Sequence, residues 1–195
     1  MDEKLLQLKE RLETLLNKDR QIIERAELIR AAVLIPIVLH AGELHLILTK
    51  RTMTVATHKG QISFPGGVRE KADKDEIENA LREAEEEIGL SPERVTVIGL
   101  FDDFVTISGF VVTPVVGFVE ADAPLRADPA EVAEIILAPV AAFTDPVRHE
   151  IVTEKQADAH RRYHSYRVGG HLVWGATAGI IHRLLSQVDA LDKAV

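Results

Sequence analysis

The stretch GGVREKADKDEIENALREAEEEIGL, from Gly66 to Leu90, constrains this chain more than any other. With Glu83 set at zero and about 100° advanced per residue, Glu87 falls at about 40° and Glu86 at about 300°, so three carboxylates share one arc of a helix. Ile77, Ala80, Leu81, Ala84 and Ile88 fall between about 60° and about 160°, the sector that must face a core. Glu78 and Glu85 fall at about 200–220°, where water is the natural environment. The spacing thus predicts a helix with a buried face, a wet face and a carboxylate face. Its expected limits are Asp73 and Leu90, with Asp73 and Glu76 as a capping box, Gly89 as its end and Pro92 as a stop.

Three clustered like charges destabilise a helix unless something neutralises them. A hard divalent cation does so, and carboxylate oxygens are the donors that Mg²⁺ and Mn²⁺ prefer. Mg²⁺ takes few carboxylates and completes its shell with water and phosphate oxygens, so the pattern points to phosphate chemistry at Glu83, Glu86 and Glu87. The competing reading is a solvated acidic face relieved by Arg82. Upstream, Gly60, Gly66 and Gly67 flank Phe64-Pro65, and the double glycine lets backbone groups approach a ligand or metal closely. Arg51, His58, Lys59 and Arg69 surround this loop and are candidate contacts for an anionic substrate, with Gly66 beside them.

The remaining chain reads as strands closed by a helix. Ala31–His40 and Glu43–Lys50 are apolar runs separated by Ala41-Gly42, a hairpin signal, and Pro36 suggests a bulge or an edge position. Val95–Phe104, Phe110–Val119, Tyr163–Val168 and His171–Trp174 read as further strands. Glu131–Leu137 fits strand or helix, and Ala176–Leu191 is a closing helix. Leu5, Leu8, Leu12 and Leu15 form a stripe on an N-terminal helix, suited to packing on its own domain or to a homodimer seam. The expectation is one α+β domain over residues 1–195, a mixed sheet between helices, with residues 1–28 as a helical extension.

A formal net charge of −8 disfavours nucleic acid as a partner. The basic and aromatic run Arg161–Arg167 is too short to reverse that; an exposed strand reaching a bound nucleotide suits it better. The absence of cysteine removes thiol nucleophiles and thiolate metal sites and fits a reducing cytoplasm. Neither a membrane span nor a signal peptide is legible. His160 and His164 have the i,i+4 spacing of helical zinc ligands but lack the accompanying HExxH, so they are set aside. Asp102-Asp103 reads as a strand-end turn with an option on metal or substrate, and Trp174 as core.

Gly67, Arg82-Glu83-Ala84, Glu86-Glu87 and Gly89-Leu90 resemble the Nudix box, G-x5-E-x7-R-E-U-x-E-E-x-G-U. Asp73 stands where the first Glu is expected, and the Gly67-to-Arg82 gap is one residue longer. ILTKRTMTVATHKGQISFPGG, Ile47 to Gly67, resembles the motif preceding the box in coenzyme A pyrophosphatases, with Ala56 where that motif has Arg and Thr52 where it has Ser or Ala. The resemblance covers about Ala31 to Leu185. It implies a Nudix α/β/α sandwich that uses Mg²⁺ or Mn²⁺ to hydrolyse a nucleoside diphosphate derivative, with coenzyme A or acyl-coenzyme A favoured. It also implies catalytic roles for Arg82, Glu83, Glu86 and Glu87, metal held by those three glutamates and the Gly67 carbonyl, and Arg82 as orienter of a box glutamate. The general base is either a box glutamate or a residue of a distant loop. The alternatives are an ADP-ribose or nucleotide-sugar pyrophosphatase, and a nucleotide-sensing module without turnover.

Overall fold

The computed structural model describes residues 3–16, 19–54, 58–156 and 159–192. Strand β1 (Ile29–His40) lies at the centre of a mixed sheet, antiparallel to β2 (Glu43–Arg51) and parallel to β7 (Phe110–Val119). The β1–β2 turn at Ala41 and Gly42 has φ of 51° and 79°. That left-handed pair matches the twist of a two-residue hairpin. Strand β5 (Val95–Leu100) and the short β6 (Phe104–Val105) pair with β7, while β8 (Val132–Pro139) and β3 (Ile62–Ser63) pair with β2. Strand β4 (Gly66–Val68) pairs with the first part of β1. A second, antiparallel sheet contains β9 (His149–Gln156), β10 (Ala159–Val168) and β11 (His171–Trp174).

Alternation along β1 explains its apolar run. Ala32, Leu34 and Val38 face helix α2 (Glu76–Ile88) and pack with Ala80, Ala84 and Ile88. Ala31, Ile35 and Ile37 face the opposite side, with Leu12 and Leu15 of α1 (Glu3–Leu16) and Ile181, Leu184 and Val188 of α4 (Gly175–Asp192). A strand covered on both faces has no polar side to show. Each fully buried Ile or Leu contributes about 1.5–3 kcal/mol, so the two layers hold α2 rigidly against the sheet. The short helix α3 (Ala141–Thr144) follows β8. Among the described residues no helix is long and apolar enough to cross a membrane.

Several expectations change. Pro36 is in the central strand and pairs with Gly117 of β7. Its missing N–H costs nothing there: Leu34 donates to Pro65 on the β4 side, alternate residues point the same way, and Pro36 falls in the gap between the β4 and β2 pairings. The Val95–Phe104 run is two strands, interrupted at Phe101–Asp103, where the Phe101 amide still donates to the Pro114 carbonyl of β7 but the Asp103 amide turns to the Gln21 carbonyl. Glu131–Leu137 resolves into strand β8. Trp174 is half-buried, tilted against Tyr163 at 5.7 Å between ring centroids.

Asp102 and Asp103 form neither a plain turn nor part of the carboxylate site. Asp103, 1% exposed, accepts hydrogen bonds from Arg20 Nη1 at 2.8 Å, Thr113 Oγ1 at 2.7 Å, the Ile23 amide at 2.9 Å and Arg30 Nη1 at 3.3 Å. Asp102 accepts from the Gln21 amide and from Arg183 Nη2, both at 2.7 Å. The pair ties the segment after α1 to β7 and α4. With Leu12 and Leu15 buried within the chain, the N-terminal stripe serves its own fold; the side chain of Leu5 lies outside the described residues.

Candidate active site

Helix α2 starts later than Asp73. Asp75 is the cap, accepting from the Glu78 amide at 2.9 Å, and the Glu78 carboxylate reaches back to the Lys74 amide at 2.6 Å. Gly89 ends the helix in the left-handed region at φ 65°. Asp73 is freed for another task. Buried, it accepts from Arg82 Nε at 3.0 Å, Arg82 Nη2 at 3.2 Å and the Glu70 amide at 2.7 Å. The Arg82 guanidinium holds the Asp73 carboxyl below its usual range, and Asp73 in turn raises Arg82.

Arg82 also donates to Glu83 Oε1 at 2.9 Å, Glu86 Oε2 at 2.8 Å and the Val68 carbonyl at 3.3 Å. It therefore fixes two of the three carboxylates against the loop–strand layer. The three differ in exposure: the Glu86 side chain is 60% exposed, that of Glu83 17% and that of Glu87 4%. Sequence periodicity placed them on one arc; the sheet beneath creates this gradient.

Glu87 is the unusual member. Its Oε1 accepts from Arg51 Nη1 at 3.3 Å and its Oε2 is buried without a partner. Burial pushes its pKa up to about 8, against the opposing pull of Arg51 and with added repulsion from Glu83 and Glu131. Burial likewise raises Glu83, which Arg82 partly offsets. A buried carboxylate oxygen lacking a donor is costly unless a proton or cation takes the place. Hard oxygen donors with an orphaned lone pair suit a divalent ion such as Mg²⁺ or Mn²⁺.

The glycine loop makes room for this arrangement. A Cβ on Gly66 would meet the Ala32 carbonyl at 2.4 Å, so only glycine fits beside β1. A Cβ on Gly67 would lie 2.5 Å from the Glu83 carboxyl group. Backbone and carboxylates are therefore in direct contact, as the paired glycines suggested.

The basic residues divide. Arg51 ends β2 and bridges Glu87 and, at 3.3 Å through Nη2, Glu131. Arg69 is turned to the loop before α2, donating to the Lys74 carbonyl at 2.6 Å and the Asp73 carbonyl at 3.3 Å and pairing with Glu76 at 3.7 Å. His58 and Lys59 are exposed at the loop's rim, with His58 bonded to Gln61 Oε1 at 2.8 Å. Ala56 lies outside the described residues. Glu131 escaped the motif because its proximity depends on long-range pairing: Val132 opposes Arg51 in the β2–β8 ladder, which seats Glu131 beside that guanidinium.

Comparison with known proteins gives the family and the fold. The NUDIX domain model matches residues 28–163. The chain belongs to the Nudix family of hydrolases, enzymes that generally use divalent metal ions and act on nucleoside diphosphate derivatives. It is 41% identical to "Uncharacterized Nudix hydrolase NudL" of Pectobacterium atrosepticum over 82% of this chain and 83% of that one. The protein of that name from Escherichia coli is also 41% identical, over 82% of each chain. Among solved structures, a MutT/nudix family protein from Enterococcus faecalis superposes with a TM-score of 0.53 at 16% identity, covering 88% of this chain and 66% of that one. A Nudix hydrolase from M. smegmatis, RenU, gives 0.51 at 22% identity, over 60% and 74%. These likenesses show the Nudix fold.

Proposed function

We propose that the chain hydrolyses the diphosphate of coenzyme A or an acyl derivative, releasing 3′,5′-ADP and (acyl-)4′-phosphopantetheine. The observation that carries the reading is the buried Glu87, with one oxygen orphaned and the other facing Arg51, beneath the Gly66-Gly67 backbone. The substrate class is supported by the run from Ile47 to Gly67, which ends in this loop.

Glu83 and Glu87 would hold Mg²⁺ or Mn²⁺ from the protein side, Glu86 from the solvent side, and the Gly67 carbonyl from the loop. Bound there, the ion supplies neutralisation of the non-bridging phosphate oxygens and acidification of the attacking water. Arg82, anchored on Asp73, keeps Glu83 and Glu86 in place by charge-assisted hydrogen bonds. Arg51 offers its guanidinium to a phosphate, trading its two carboxylate contacts for a bidentate one. His58 and Lys59 at the rim extend the positive surface available to further phosphates, and Arg69 shapes the loop behind them. The reading extends to one catalytic domain over residues 1–195, with 1–28 as a helical extension, working in the cytoplasm on a small nucleotide.

Chromatographic product analysis with coenzyme A, dephospho-coenzyme A and ADP-ribose tests this, each with Mg²⁺, Mn²⁺ or chelator. Fastest metal-dependent turnover of coenzyme A, yielding 3′,5′-ADP, is the expected result. Preference for ADP-ribose overturns the substrate assignment and keeps the chemistry; nucleotide binding without any turnover overturns both in favour of a sensing module.

A further inference from the structure

Three histidines converge on the second sheet, away from the carboxylate helix. His149 begins β9, His164 lies on β10 and His182 on α4. Strand alternation puts His164 and Tyr166 on one face of β10, and the antiparallel register sets His149 opposite Tyr166. The closing helix then brings His182 onto the same face. One ring nitrogen from each histidine lies within 4.8 Å of those of the other two. The His164 and His182 rings stack with centroids 3.9 Å apart, and His149 stacks 5.1 Å from both. His149 Nε2 and His164 Nδ1 are 2.9 Å apart, one donating to the other. The buried Tyr166 hydroxyl lies 3.0 Å from His182 Nδ1.

We propose that His149, His164 and His182 form a binding site for a borderline divalent transition metal, with Zn²⁺ as the type ion. Imidazole suits Zn²⁺, Co²⁺, Ni²⁺ and Cu²⁺, whereas the hard ions favoured by the glutamates prefer oxygen. Three protein nitrogens with water in a fourth position is an established zinc geometry. Ring nitrogens of a tetrahedral zinc site lie about 3.3 Å apart, from bonds of about 2.0–2.1 Å. The observed separations are therefore close enough for rotation of the stacked rings to turn their lone pairs to a common point. All three residues are half-buried, so an ion can enter from solvent.

Tyr166 completes the arrangement as an outer partner. With the His182 Nδ1–H donating to the Tyr166 oxygen, Nε2 keeps its lone pair free, the orientation device common behind metal-bound histidine. Phe143 packs edge-on against Tyr166 at 5.3 Å between centroids and holds the phenol in place. An ion here would clip β9 and β10 to α4. The strand geometry also replaces the helical pairing of His160 with His164, since their spacing falls on a strand; the side chain of His160 lies outside the described residues.

The test uses the full chain, stripped with chelator, dialysed and held in excess Mg²⁺ so that the carboxylates are saturated with a hard ion. Titration with Co²⁺ is expected to give one equivalent with the intense visible bands of tetrahedral coordination, displaced by Zn²⁺. His164→Ala and His182→Ala should abolish the bands, and Tyr166→Phe should weaken Zn²⁺ affinity by about 10–100-fold. Imidazole-nitrogen NMR of the wild-type chain gives a readout independent of whether variants fold: Zn²⁺ should shift resonances of these three histidines together. Absence of the Co²⁺ bands in the wild type, their persistence in the histidine variants, or Zn²⁺ shifts confined to other histidines would overturn the proposal. Loss of hydrolase activity is not read, so this outcome is separable from that of the substrate assignment.

Discussion

Asp103 and Glu87 are both buried carboxylates, 1% and 3% exposed, and their surroundings could hardly differ more. Asp103 is surrounded by two guanidinium groups, a hydroxyl and a backbone amide, so both oxygens are satisfied. Glu87 has a single guanidinium contact, Arg51 at 3.3 Å, and an oxygen with no donor. A buried acid that the fold fully answers is a fastening. One left half-answered keeps a place for a cation, and the cost is met by the layers that hold α2 on the sheet. Depth of burial alone does not separate structure from chemistry; the count of donors does.

The comparison is broken most directly at Glu87. Glu87→Gln should lower kcat by about 10²–10⁴, because several kcal/mol of metal stabilisation is removed. It should do so without lowering the urea midpoint of the metal-free protein, since an amide removes a group that burial disfavours when charged. Steady-state kinetics on the best diphosphate substrate and denaturation of the same preparation check both halves. A variant that keeps near-full, metal-dependent rate removes Glu87 from the machinery.

Asp103→Ala should show the opposite split. Removing one side of a buried, multiply bonded charge leaves Arg20 and Arg30 facing each other, at a cost of about 3–5 kcal/mol. Chemical denaturation reads that loss, while kcat of the folded protein at low temperature stays within a few-fold of wild type. A large kcat defect with unchanged stability would reverse the assignment of this cluster.

Acidity sharpens the contrast further. Glu87 titrates at about 8 in the folded, metal-free chain, against the usual glutamate value of 4.5, and Glu83 moves in the same direction. Between those values the folded state keeps a proton that the unfolded chain has lost, so the stability of the chelated protein falls as pH rises from about 5 to about 8. Every tenfold difference in proton affinity between the folded and unfolded chain is worth about 1.4 kcal/mol. Denaturation midpoints taken across that range should decline in the wild type, decline much less in Glu87→Gln, and recover when Mg²⁺ displaces the proton.

The smallest expected effect belongs to Gly67→Ala. The new methyl meets the movable end of Glu83 and not backbone, so the chain should fold with a midpoint close to wild type. The displaced carboxylate should raise the Mg²⁺ concentration needed for half-maximal rate several-fold. An unchanged metal requirement would show that Glu83 donates from elsewhere.

Periodicity made the three faces of α2 legible, because 3.6 residues per turn turns sequence spacing directly into angle. Ala80, Ala84 and Ile88 are fully buried as that angle requires, and Gly89 ends the helix through a conformation that glycine adopts freely. The same local logic put the glycine loop against the carboxylates. It missed the start of the helix: Asp73 and Asp75 are both able to cap, and the pull of Arg82 on Asp73 chose between them.

Contacts set by pairing between distant segments were out of reach. Glu131 joins the site because Val132 lies opposite Arg51, and Asp103 is a fastening because Arg20, Arg30 and Thr113 meet there across the fold. The three histidines, from two strands and a helix, share one face for the same reason. Sequence by itself determined the helix, its carboxylate arc and the family to which the chain belongs, all of which are short-range patterns of side-chain chemistry. Tertiary structure decided which carboxylate is buried, which cation faces it and which acid is merely structural, since burial and hydrogen-bond satisfaction depend on neighbours that only the folded sheet brings together.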